Sequence, residues 1–369
     1  MRIAFVNYNI LPDYHSPEEW IQKIAPSVGI MEALAKRAAL HYFIRIGYTG
    51  TQLINDVQYH CLKTKAGGSA FPFSLHQSVK KVKPDIVLVF GLHFSFQIIQ
   101  LKQFLPAATK IIAEHHADDP FSRVKRIVQK IADHCIDSYH FTTIENAEPW
   151  IKAKIIVDRQ KCKTLGLAST HFVKQDKILS KQITGMTSAT NFLFVGRLNE
   201  NKDPFTVLKA FEKYLFQNTD CALHFIYQTE ELLPQIQSFI NRSELLKKNV
   251  YLHGEKEYPV LEIWYSAADY LISASLKESA GFSVIEAMAC GCIPIVSNIP
   301  ASLKSIDNGK YGFISETGNA MSLYKTILFA TALDRNAFSL QTEAYFKKQF
   351  SFEKISADFY ALATKLIAE

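Results

Sequence analysis

Short apolar runs alternate with helix-spaced stretches along the whole chain, and the alternation starts again after one polar break. A strand that is apolar on both faces needs cover on both faces. A helix between successive strands supplies it, so this pattern demands parallel sheets flanked by helices. Strands are expected at Arg2–Asn7, Ala39–Ile46, Asp85–Phe90 (DIVLVF) and Thr109–Ala113, with helical spacing over Ile30–Leu40. Asp119 offers a helix N-cap, with Pro120 at the first helical position. Residues 173–190 (VKQDKILSKQITGMTSAT) are polar, Lys-rich and without core periodicity, and read as a linker. Beyond them strands are expected at Asn191–Val195, Ala222–Ile226, Asp269–Ser273 and Cys292–Val296. Asp203 and Pro204 cap a helix running to about Phe216, and Ile355, Phe359, Leu362 and Leu366 give residues 352–368 helical spacing. The expected fold class is α/β: two Rossmann-like domains, residues 1–172 and 191–350, facing a cleft. A C-terminal helix over 351–369 returns to the first domain.

At roughly 100–200 residues per domain, 369 residues suit two domains. With 48% hydrophobic and 21% charged residues, the chain is neither disordered nor fibrous. The N-terminal stretch turns polar at Asn7, too early for the apolar core of a signal peptide. The most apolar stretch, Ile86 to Leu101, is broken by His93, Ser95, Gln97 and Gln100, short of a membrane span. The cysteines, Cys61, Cys135, Cys162, Cys221, Cys290 and Cys292, include no CxxC pair, so buried free thiols in a reducing cytosol are expected. Residues 1–185 carry 24 basic and 15 acidic side chains, while residues 186–369 carry 17 and 20, so the halves are expected to meet different partners.

Two constellations carry chemistry. In Ser275–Ser297 (SLKESAGFSVIEAMACGCIPIVS), Glu278 and Glu286 stand seven residues apart. That spacing alone fits two solvated carboxylates. Its context adds weight, because Glu278 closes a strand and Ala280, Gly281 and Phe282 bring backbone amides to a helix start, where hydroxyls or phosphates bind. Gly291 ends that helix. In Phe194–Pro204 (FVGRLNENKDP), a strand feeds Gly196 and Arg197, and Lys202 precedes a helix. Two surface cations at a turn fit this segment, and so does a diphosphate cradle of glycine, cations and helix dipole. It is neither a Walker loop nor a GxGxxG fingerprint.

Together these residues resemble the retaining glycosyltransferases of family 4, which have the two-domain GT-B fold. The match runs from Asn191 to about Gly312 and is looser over residues 1–172, where Thr170-His171-Phe172 looks like the family's end-of-domain turn. The resemblance implies a nucleotide diphosphate sugar as donor, held at its diphosphate by Arg197 and Lys202 beside Gly196. It implies that Glu278 contacts the transferred sugar, that Glu286 holds the ribose hydroxyls, and that the amides of Ala280, Gly281 and Phe282 bind sugar or phosphate oxygens. A His of the first domain often reaches the donor sugar in this family. His116 is favoured for that catalytic part, with His115 and His93 as weaker candidates. Two departures stand out. The loop Leu11–Pro17 lacks the family's Gly-Gly turn and has only Gly29 nearby, and Ile226-Tyr227-Gln228-Thr229 replaces a glycine-rich turn.

No Asp-x-Asp occurs, so cations and amides rather than a metal are expected to stabilise the leaving diphosphate, with no cofactor. The expected activity is sugar transfer to an acceptor hydroxyl with retention, in the synthesis of cell-envelope polysaccharide or glycolipid. The expected partners are the nucleotide-sugar donor and a saccharide or lipid-linked acceptor, with no nucleic acid. A nucleotide-sugar epimerase of this fold and a silent subunit of a polysaccharide assembly are the alternatives. The first needs additional acid–base groups; Glu278, Arg197 and Lys202 argue against the second. In Phe121–Asp133 (FSRVKRIVQKIAD), Phe121, Val124, Ile127, Val128 and Ile131 make an apolar stripe beside Arg123, Lys125, Arg126 and Lys130. Such a helix suits peripheral contact with an anionic membrane at its cytoplasmic face, and equally an ordinary helix packed on a core.

Overall fold

A computed structural model describes residues 1–63, 71–116, 118–166, 169–278 and 280–369, except for the side chains of Arg123 and Val124. It divides into two compact units: Met1–Ser169 with Phe352–Glu369, and Thr170–Ser351.

Among the described residues the first unit holds an eight-stranded sheet in the order β3-β4-β2-β1-β5-β6-β7-β8. Its strands are β1 (Arg2–Leu11), β2 (Ala39–Ile46), β3 (Gly50–Ile54), β4 (Val57–Cys61), β5 (Ile86–Phe90), β6 (Lys110–Glu114), β7 (Ser138–Phe141) and β8 (Cys162–Thr164). All pairs are parallel except β3 with β4. The unbroken apolar run of β5 is buried from Ile86 to Val89, as cover on both faces requires. The helix Phe352–Ala368 belongs to this unit and buries Ile355, Phe359 and Ala363, one per turn. Phe359 stacks on Phe5 of β1 at 6.0 Å. Gly29 serves this packing: a Cβ there would fall 2.5 Å from the Phe352 ring.

The second unit holds a six-stranded parallel sheet, again among the described residues, in the order β11-β10-β9-β12-β13-β14. These strands are β9 (Thr190–Val195), β10 (Cys221–Ile226), β11 (Val250–Leu252), β12 (Tyr270–Ser273), β13 (Ile293–Ser297) and β14 (Phe313–Ser315). Asp203 caps the helix Pro204–Leu215, its carboxylate accepting from the Thr206 amide at 3.2 Å. In each sheet the chain builds outward on one side of its first strand and then crosses to the other. The strand order therefore reverses between β1 and β5 and between β9 and β12. Open α/β sheets bind ligands at such reversals, outside the carboxyl ends of the strands.

Three expectations need correction. Residues 173–190, read as a linker without core periodicity, contain the helix Lys177–Thr184. Asp176 caps it through the Leu179 amide at 2.8 Å, Gly185 ends it at φ 74°, and Lys177 pairs with the buried Asp269 at 2.8 Å. Its periodicity is hidden because it buries Ser180 while Ile178, Leu179 and Ile183 stay exposed. The boundary between units falls after Ser169, so Thr170–Phe172 belong to the second. The helix after β6 starts at Arg123 with Ser122 as N-cap, not at Pro120. It buries Gln129, Ala132 and Asp133, while Ile127 and Ile131 of the apolar stripe are 57% and 50% exposed. Polar anchors hold that face inward: Asp133 accepts from the Tyr139 hydroxyl at 2.8 Å, and Gln129 accepts from the Phe121 amide at 2.9 Å. Arg123 and Val124 of the two stripes lie, as side chains, outside the described residues.

Among the described residues no helix is long and apolar enough to cross a membrane. The six cysteines are free; all but Cys135 are buried.

Candidate functional site

In the second unit the loops that leave β9 and β12 flank the strand reversal. Gly196 continues the β9 ladder, its amide donating to Ile226 at 3.1 Å. Leu198 is fully buried and anchors the turn, while Arg197 is exposed and has no ion-pair partner among the described residues. Asn199 accepts from the Lys202 amide at 3.1 Å and so shapes the next turn. Asn201 then stitches the two loops together. Its side chain donates to the Lys277 carbonyl at 3.0 Å and accepts from the Lys277 amide at 3.1 Å, and its own carbonyl accepts from Leu276 at 2.8 Å.

This stitching delivers Lys202 to Glu278, with which it forms a side-chain ion pair. The Ser275 hydroxyl donates to the same carboxylate oxygen at 2.8 Å. The side chains of Lys202 and Glu278 are only about one-fifth exposed, at 21% and 17%. A cation expected to hold a diphosphate and a carboxylate expected to touch the sugar therefore form one charged unit. Gly281 follows in the left-handed region at φ 66°, which an L side chain rarely adopts. The helix Phe282–Ala289 starts there without a side-chain cap, so its first amides are available to a ligand. Ala280 is buried, and Phe282 is 44% exposed.

Glu286 lies four residues into that helix and faces inward, 6% exposed. The Tyr265 hydroxyl donates to its Oε2 at 2.8 Å, and Tyr258 also bonds it. Burial pushes its carboxyl up to about 7, against the two tyrosine bonds that lower it. Glu286 thus has hydroxyl partners of its own, a chemistry that also suits a ribose. The tyrosines continue the network: Tyr258 bonds Thr170 at 3.3 Å and packs on Phe172 at 4.8 Å.

In the first unit, two carboxylate–histidine pairs form at the ends of β5 and β6. His116 Nε2 meets the buried Glu114 at 2.8 Å, and His93 Nδ1 meets Asp118 at 2.8 Å. Asp118 also accepts from the Leu92 amide at 2.8 Å. Burial opposes protonation of His116, yet the bond and charge of Glu114, with Asp118, outweigh it and raise its pKa. His115 points the other way. It is buried against Phe141 at 5.1 Å, it reaches the Asp118 carbonyl at 3.0 Å, and burial lowers its pKa. Of the two neighbours, only His116 faces an accessible surface.

The sequence reading assigned no role to Asn199, Asn201, Ser275, Tyr258, Tyr265, Glu114 and Asp118. Acids beside both histidines in Glu114–Asp119 were a legible signal; Asn201 carries none, because a loop asparagine has no periodicity. Among the described residues no group of three or more His, Cys, Asp or Glu is arranged to hold a metal ion.

These features give the chain the GT-B fold, and comparison with solved structures agrees. A family model described as glycosyl transferases group 1 matches residues 177–345. Among solved structures, sucrose-phosphate synthase from Thermosynechococcus elongatus is similar over 100% of this chain and 99% of its own, at 16% identity and TM-score 0.69. Anabaena HepE in complex with UDP covers 99% and 100%, at 12% identity and TM-score 0.74. A glycosyltransferase from Rickettsia africae covers 99% and 98%, at 15% identity and TM-score 0.73. At such identities the likeness is one of fold. No curated protein matches the chain.

Proposed function

We propose that the protein transfers a sugar from a uridine diphosphate sugar to an acceptor hydroxyl, with retention and without a metal. The Lys202–Glu278 pair at the strand reversal of the second unit carries this reading. Breaking the sugar–phosphate bond leaves negative charge on the diphosphate and positive charge on the sugar. Lys202, Arg197 and the amides after Gly281 meet the first; Glu278 meets the second. Groups fixed before reaction stabilise such charge without reorganising during it. The complexes of Anabaena HepE with UDP and UDP-glucose support the choice of base. Two tyrosine bonds already engage Glu286, which leaves Glu278 as the carboxylate assigned to the sugar, and attack from the leaving-group face is part of the same reading. His116, oriented by Glu114, is assigned a hydrogen-bonding part toward a hydroxyl of a ligand bound in the first unit. Calorimetric titration with UDP tests the reading: wild type should bind, and Lys202→Ala should bind at least tenfold more weakly. Equal affinity for UDP and uridine would overturn the diphosphate assignment.

A cell-envelope setting, with an acceptor presented at an anionic membrane, is part of the same proposal. The exposed Ile127 and Ile131 beside the exposed Lys125 and Lys130 support it, because a core-packed helix would bury those isoleucines. Sedimentation with anionic liposomes at low salt, reversed at high salt, is expected. Ile127→Ser with Ile131→Ser should abolish it.

A further inference from the structure

The first unit contains a cavity of about 280 Å³ at its own strand reversal. Phe5, Leu88 and Phe90 from the strands line it with Trp20, Ile30 and Met31 from the helices. Phe359 of the C-terminal helix closes part of the wall. Apart from Ser27 on the helical wall, its polar lining gathers at the carboxyl ends of β1, β5 and β6, where Asn7, Asn9, His93, Glu114 and His116 stand. Several of these groups are already satisfied within the unit. Asn7 and Trp20 both donate to the Tyr42 hydroxyl, at 3.4 and 3.2 Å, and the Asn9 amide donates to Asn7 at 3.0 Å. The Glu114–His116 pair is different: His116 bonds Glu114 through Nε2, and its Nδ1 has no partner among the described residues.

A ligand that fits this lining is an amphiphile, with a hydroxyl at the Glu114–His116 end and an apolar body among the aromatic and aliphatic walls. A bare sugar would bring several hydroxyls against walls that cannot bond them, and each unpaired polar group is costly to bury. The space is nearly twice the ~150 Å³ of a dry cavity that holds benzene. We infer that this cavity binds the apolar aglycone of the acceptor, so the enzyme glycosylates an alcohol that carries a short alkyl or aromatic group next to its polar end. The inference rests on the transferase reading above and adds the substrate class.

Alkyl β-D-glucopyranosides, titrated into the full chain by calorimetry below their micelle concentrations, probe it directly. From methyl to octyl, affinity should rise roughly fourfold per methylene until the cavity is full, and then level off. Ser27→Phe places a ring into the cavity from the helix Ala25–Ala35 and should weaken octyl glucoside at least tenfold, leaving methyl glucoside unchanged. Ile30→Ala, a smaller change that keeps the helix, should move the plateau to longer chains. Affinity independent of chain length in the wild type, or an unmoved plateau in Ile30→Ala, overturns the inference. UDP titration of the same samples separates the two readings. UDP binding without a chain-length dependence sinks the cavity assignment alone. A chain-length dependence in a protein that binds neither UDP nor UDP-glucose sinks the transferase reading, and the acceptor assignment with it.

Discussion

The two units solve the same topological problem with opposite chemistry. Each sheet reverses its strand order beside its first strand, and each gathers its candidate site residues at the carboxyl ends there. In the second unit the reversal carries charge and backbone: an ion pair, an exposed arginine, a left-handed glycine and uncapped amides. In the first it carries two carboxylate–histidine pairs above an apolar cavity. One site suits a phosphate-bearing ligand and the other a ligand with an apolar body. The shared topology fixes where ligands bind; the loop residues fix what binds.

The largest expected effect tests the charged site. Glu278→Gln keeps shape and removes charge, and should lower turnover by about 10²-fold or more while the fold persists. Near-normal turnover would remove Glu278 from the reaction. Next come the cations: Arg197→Ala and Lys202→Ala should each weaken UDP roughly 10- to 100-fold, the range of hydrogen bonds to charged groups. Octyl glucoside binding should stay unchanged in both, since the apolar site lies in the other unit. Loss of both ligands together would break the comparison.

Glu286 provides a pH test. Its folded pKa lies above the usual carboxyl value, so between about pH 4.5 and 7 the folded state holds a proton that the unfolded state has released. Stability from this group should therefore fall as pH rises through that window and stay level above it. Glu286→Gln should flatten the slope of Tm against pH there, at a cost in UDP affinity. An unchanged slope would mean that the carboxylate is solvated. Asn201→Ala should slow turnover by about tenfold, mainly by unpinning Lys202 from Glu278, with a Tm change of a few degrees. The smallest effect concerns the first unit: Glu114→Gln should move the His116 titration, followed by proton NMR, downward.

Much of this was legible in the sequence. Unbroken apolar runs announced β5, β9 and β13, Asp203 announced its helix, and the helix Phe352–Ala368 matches its apolar spacing. The helix Lys177–Thr184 escaped because hydrophobicity points the wrong way in it, toward solvent, while Ser180 and the Lys177–Asp269 ion pair face inward. The helix Arg123–Asp133 misled for the same reason, its inward face being set by Gln129 and Asp133. Glycine, arginine, lysine and the two glutamates flagged the charged site through their order and context, beside a strand-end glycine and at the start of a helix. The bond between Lys202 and Glu278 was not legible, since it depends on Asn201 bringing together loops 76 residues apart. The apolar cavity left no local mark, for its walls come from β1, β5, two early helices and the last one.

The last helix also sets an order of events in folding. Residues 170–351 form one contiguous unit with its own core, whereas the first unit includes residues 352–369. During synthesis from the N-terminus, the second unit can close as soon as it emerges. The first must wait, with Phe5, Gly29 and the face around them uncovered, until the segment that carries Phe352 and Phe359 has been made. The apolar cavity is therefore completed last, and a nascent chain halted before residue 352 should present its open wall to chaperones.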